Sequence, residues 1–309
     1  MMVVHHAPPA GLRGRSLGIL YALPKLGRRT PLTTIYLAAL AVVGSLLGSL
    51  GTHWQAVVVA KASTNLHNLG QWHFSTLATS AFVIDEGPVW FTCLGVGCTL
   101  AVAELAWGGR RMFTTFVLGH LGATAVVAGG LWVGIRSGWL PVTWELASDV
   151  GVSYGVVAVL SGLAFSVPRG WRLAWSAVWI ALAAQSVFSE RSFTSVGHCV
   201  AILLGLAVAW LALRHRGGES AATFRSPLAL ALLVGAALFG LCIVGWGESG
   251  WWSAPVVAVV VVLAVKVRPL PAGLLHVSCG PRPLEASPTS PAASADAAAP
   301  GPTRPPVPA

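Results

Sequence analysis

Long apolar runs, broken by short polar or basic stretches, recur from Pro31 to Val265. A helix needs about 20 mostly apolar residues to cross about 30 Å of hydrocarbon. Residues 31–51, 88–108, 112–134, 195–213 and 227–246 meet or approach that length. Shorter runs at 153–167, 173–189 and 251–265 bring the predicted spans to eight. Between the first two lies a connection, 52–87, with Lys61, the polar run from Ser63 to Asn68 and a semi-apolar piece from Trp72 to Ile84. That piece is too short and too polar to cross. It is predicted to be an interfacial or re-entrant segment packed on the bundle.

The flanks differ from this pattern. Residues 1–30 form a basic arm, and the stretch from Pro269 to Ala309 is rich in Pro, Ala and Ser. Such a tail buries too little apolar surface to offset chain entropy and is predicted to be disordered. The expected organisation is an arm over 1–30, a membrane core over 31–215, a transmembrane hairpin over 226–268 and a tail over 269–309.

Composition agrees: 55% of residues are hydrophobic and 9% charged, against about 25% charged in soluble domains. The mean hydropathy is +0.73. An all-α polytopic membrane protein is the fold class this implies. The formal charge of +9 is scattered in small groups between spans rather than gathered on one face, so nucleic-acid binding is not expected. Cys93, Cys98, Cys199, Cys242 and Cys279 lack metal-ligand spacing, and no metal or cofactor is expected.

The charges do set an orientation. If the N-terminus is inside, sixteen of the nineteen Lys and Arg residues fall in inside loops, and Lys61, Arg136 and Arg191 fall outside. Basic residues favour the cytoplasmic side, so both termini are expected in the cytoplasm of a multi-pass protein of the cell membrane.

That topology brings two polar side chains to one depth. Ser153 starts the fourth span and His198 lies near the outer end of the sixth. Each is sixteen residues from an inner marker, Arg169 or Arg214, which puts both about 24 Å above the inner boundary. A serine hydroxyl is a weak nucleophile until a base such as imidazole takes its proton. At a helix start, free backbone N–H groups can also hold an oxyanion. The plainer alternative is a helix N-cap and polar glue in a helix seam. Small residues at Gly155, Gly162, Ala201 and Gly205 are expected to let the two helices touch. Elsewhere, His120 is expected to bond within the bundle, Glu104 to be reached by Arg110 or Arg111, Asp149 to cap the start of the fourth span, Asn65 and Asn68 to cap or dock the long connection, and Gln185 to act as interhelical glue.

Several stretches carry a family likeness. The segment Gly151-Val152-Ser153-Tyr154-Gly155 is similar to a G-x-S-G nucleophile motif with one extra residue. Gly197-His198-Cys199 and the small residues after it are similar to a histidine helix. Trp72-His73-Phe74-Ser75-Thr76 resembles W-R-x-x-T, and Glu104 to Arg111 resembles E-x-x-x-G-x-x-R. Over about residues 30–215 the chain resembles the rhomboid intramembrane serine proteases, and more narrowly an actinobacterial rhomboid-like group.

The resemblance implies a rhomboid-like six-helix core with two additional C-terminal transmembrane helices. It also implies that Ser153 is the nucleophile and His198 the base, acting on transmembrane protein substrates near the outer face of the lipid bilayer. Gly151, Tyr154 and Thr92 are the candidates for shaping the site or the oxyanion. Two departures stand out. The family's His and Asn, four apart early in the second span, have no counterpart in Gly87 to Cys93, and Tyr154 is inserted directly after the serine. The second expectation is therefore an inactive rhomboid-like protein that binds or chaperones the helices of membrane-protein clients.

Overall fold

The computed structural model describes residues 24–84, 87–216, 226–245 and 253–267. The first 23 residues of the arm and the tail from Pro269 lie outside the described residues. Every regular element described is helical: α1 (Pro31–Ser49), α2 (Thr52–Ala62), α3 (Leu66–Gly70), α4 (Thr76–Thr79), α5 (Val89–Trp107), α6 (Gly109–Arg136), α7 (Ser153–Gly162), α8 (Arg169–Glu190), α9 (Phe193–Arg216), α10 (Pro227–Gly245) and α11 (Ser253–Val267), with three 3-10 turns between them.

Among the described residues, five helices are long and apolar enough to cross a membrane: α1, α5, α6, α9 through Ala212, and α10. Two further apolar helices, Ser153–Phe165 and Ser253–Lys266, are shorter. Eight spans were expected. The helix at the fifth expected span, α8, has 22 residues but mixes Trp171, Arg172, Ser176, Gln185 and Ser186 into its apolar sequence.

The short helix α7 is the centre of the bundle. Every residue from Tyr154 to Gly162 is buried, as are Leu163 and Ala164 in the 3-10 turn that follows. A helix apolar on all sides belongs inside, and α5, α6, α8, α9 and α10 surround it. The close approach depends on small residues. A Cβ at Gly205 on α9 would strike the Ala158 carbonyl oxygen and Ser161 Oγ. A Cβ at Gly119 on α6 would strike Ala158. Backbone-to-backbone packing of this kind replaces the hydrophobic drive that lipid removes. The expected α7–α9 seam therefore forms through Gly162 and Gly205, whereas Gly155 faces Phe116 of α6.

At the end of the bundle where α1 begins, Glu104 of α5 accepts from Leu32 N at 3.1 Å, Thr33 N at 2.9 Å and Thr33 Oγ1 at 2.7 Å. These amides have no intrahelical partner, and a carboxylate also suits the positive helix end. Glu104 thus serves as a cap on α1, and Arg111 lies over the Trp107 ring at 5.5 Å. The α5–α6 reversal turns on Gly108, whose φ of +81° favours glycine.

The helix α10 packs on α5, α8 and α7. Phe239 fills the space over Gly95, and Gly240 sits against Leu160 and Trp179. α11 lies against α8.

Candidate functional site

Ser153 is the first residue of α7, with Val152 at the N-cap and no side-chain cap. The serine is half-buried, and neither it nor His198 forms a hydrogen bond among the described residues. His198, 6% exposed, leaves Nε2 without a partner. Its neighbour is Tyr154, whose ring meets the imidazole edge-on, with centroids 5.5 Å apart and planes at 83°. Gly197 makes room for the tyrosine, since a Cβ there would collide with the ring and hydroxyl. Successive helical residues point about 100° apart, so the face that Tyr154 presents to His198 is not the one that carries Ser153. The sequence placed serine and histidine in one layer; the structure brings the two helices together and puts the inserted tyrosine against the histidine.

The other candidates are occupied elsewhere. Gly151, at φ +120°, donates its N–H to the Ser80 carbonyl at 2.8 Å, so that amide is not free for an oxyanion. Thr92 Oγ1 donates to Pro88 O within its own helix start, at 3.5 Å. Asp149 does not cap α7; its N–H donates to Ser63 Oγ at 2.8 Å and its carbonyl accepts from Thr64 N at 3.0 Å. Burial pushes the Asp149 carboxyl up to about 6, partly offset by the Tyr154 hydroxyl beside it. That hydroxyl lies next to Asp149 and Thr194 without reaching hydrogen-bond geometry to either. Gln185 leaves its Oε1 buried without a partner, so it does not act as the expected glue.

A second serine–histidine pair went unnoticed in the sequence. Ser80 Oγ lies 3.3 Å from His120 Nε2, and that nitrogen is 3.1 Å from the Leu77 carbonyl. A carbonyl only accepts, so Nε2 carries the proton. Thr64 Oγ1 shares its hydroxyl proton between the Thr76 carbonyl at 2.9 Å and Ser80 Oγ at 3.1 Å, and both oxygens accept. Ser80 Oγ therefore lies between two donors, Thr64 Oγ1 and the protonated Nε2. Nε2 cannot then serve as a base for Ser80, and the serine is 1% exposed. The cluster is a clasp: it ties the 52–87 connection to α6 through His120 and to the Gly151 loop through Ser80 and Asp149. Asn65 caps α3 by accepting from Asn68 N at 2.8 Å, and Asn68 Nδ2 donates to Ala60 O and Ser63 O. The polar run from Ser63 to Asn68 was the visible signal. Ser80 had none, because its partner lies 40 residues away.

These features define a multi-pass, all-α membrane protein built around a buried central helix, with a Ser–Tyr–His layer at one end of that helix. The chain belongs to the family of rhomboid-like proteins, whose family model matches residues 25–218, more than half of the 309 residues. No curated protein and no solved structure matches it.

Proposed function

We propose that this chain is a non-proteolytic rhomboid-like protein that binds the transmembrane helices of other membrane proteins. The observation that carries this reading is the Tyr154–His198 contact. It leaves Ser153 with no hydrogen bond to a base, and an unactivated serine is a poor nucleophile. Two further features support it. Gly151 N–H is already engaged, and Gly87 to Cys93 offers neither His nor Asn as an oxyanion donor. Loss of one such donor typically costs about 100- to 1000-fold in rate. The reading places the protein in the cell membrane with both termini cytoplasmic, as the sixteen-to-three split of basic residues favours, and within the actinobacterial group that its motifs resemble.

The test uses the full chain in proteoliposomes with a reporter whose transmembrane helix is destabilised near its outer end. No cleavage is expected. Photo-crosslinked capture of that helix is expected to be the same for wild type and Ser153→Ala. Cleavage by the wild type that Ser153→Ala abolishes overturns the reading.

One observation favours the second reading, an intramembrane protease with a Ser153/His198 dyad. Ser153 is half-buried at a helix start and adjoins the residue that touches His198. Turning the first turn of α7 by about 100° exchanges Tyr154 for Ser153, and the same cleavage assay detects it.

A further inference from the structure

A half-open cavity of about 580 Å³ lies beside the start of α1, at the end of the bundle where Glu104 caps that helix. It is lined by Lys25, Arg28 and Arg29 from the segment before α1, by Leu105 of α5, and by Ser226, Leu228 and Ala229 at the start of α10. None of the three cations forms an ion pair with a described residue. No carboxylate lines the cavity among the described residues, and Glu104, next to the lining residue Leu105, has its two oxygens engaged by three donors at the start of α1. The cavity thus has a cationic rim with no acid answering it among the described residues.

Two further features select the ligand. The start of the 19-residue α10 lines this end; Ser226 Oγ accepts from Ala229 N in a long bond of 3.4 Å, and the positive end of the helix still attracts anions. The remaining walls, Leu105, Leu228 and Leu26, are apolar, and Leu105 and Leu228 lie at the ends of the apolar helices α5 and α10. A soluble phosphate would use the rim and leave the walls unfilled. An anionic phospholipid uses both.

We propose that this cavity binds an anionic phospholipid: the phosphodiester against Lys25, Arg28, Arg29 and the start of α10, and an acyl chain along Leu105 and Leu228. The site joins the family-matched core to α10, which lies beyond residue 218, so bound lipid would act as a tie between them. Its chemistry is independent of whether Ser153 is active.

Native mass spectrometry of the full chain, titrated in detergent with dioleoyl phosphatidylglycerol or dioleoyl phosphatidylcholine, tests this. One retained phosphatidylglycerol is expected, at least tenfold tighter than phosphatidylcholine, with the preference lost in the triple variant Lys25→Ala, Arg28→Ala, Arg29→Ala. The control triple Arg169→Ala, Arg172→Ala, Lys266→Ala removes equal charge and is expected to keep it. Thermal unfolding of both triples checks that they remain folded. Equal retention of the two lipids, equal loss in both triples, or full displacement by inorganic phosphate at tenfold excess would each overturn the proposal.

Discussion

Two serine–histidine pairs share this bundle, and they teach opposite lessons. Ser153 and His198 sit on neighbouring helices in a motif that suggests chemistry, yet no hydrogen bond joins them. Ser80 and His120 sit in no motif, yet they lie 3.3 Å apart in a buried network. In the first pair a tyrosine ring fills the space beside the histidine and Nε2 is left bare. In the second, the proton order fixes the histidine as a donor. Proximity of a serine and a histidine is therefore no guide to reactivity until the proton directions are worked out.

The largest expected effect concerns the α7–α9 seam beneath the first pair. Gly205→Val places a side chain into the Ala158 carbonyl and Ser161 Oγ. Because α7 is packed on all sides, the backbone cannot give way. A loss of about 3 kcal/mol, the upper range for overpacking, is expected in denaturant unfolding of the detergent-solubilised protein.

The next effect separates the pairs directly. His120→Leu strips the Leu77 carbonyl and Ser80 of their shared donor and is expected to cost about 1–3 kcal/mol. His198→Leu replaces an imidazole that makes no hydrogen bond, so it is expected to be neutral or slightly stabilising. Equal losses for the two variants would contradict the contrast.

A smaller effect depends on pH. The Asp149 carboxyl titrates near 6 in the fold, against a usual value of 3.8. Its folded state holds the proton more tightly, so its contribution to stability is full below about 3.8 and is lost as pH rises through about 6. Asp149→Asn keeps the backbone bonds to Ser63 and Thr64 and removes the charge. It is expected to raise stability at pH 7 by about 1 kcal/mol, since the half-buried carboxylate retains part of its hydration, and to have no effect near pH 4. Smallest of all, Ser153→Ala is expected to change stability by less than about 0.5 kcal/mol.

Much of this architecture was legible in the sequence, for physical reasons. Apolar run length sets span position, so α1, α5, α6, α9 and α10 are found within a few residues of expectation. Gly162 and Gly205 announced the α7–α9 seam because only small residues let helix backbones touch. The shared layer of residues 153–154 and 198 was legible too, because equal spacing to the next basic residue aligns the two helices. Rotation was not. A single inserted residue, Tyr154, decides which side chain faces His198, and spacing alone does not reveal which residue begins the helix. Contacts distant in sequence were equally hidden. Glu104 reaches the start of α1 across 71 residues, and nothing local distinguishes it from a carboxylate waiting for Arg110. The docking of α10 into the core also left no sequence signal, since Phe239 over Gly95 is a pairing of two common residues.

The central claim, that Ser153 is not an activated nucleophile, is most directly tested by labelling the full-length protein in liposomes with a fluorophosphonate probe. Label is to be located by peptide mass spectrometry and compared with Ser153→Ala. The wild type is expected to show no adduct on Ser153 above that background. A stoichiometric adduct on Ser153, lost in His198→Leu, would contradict the claim and restore the dyad.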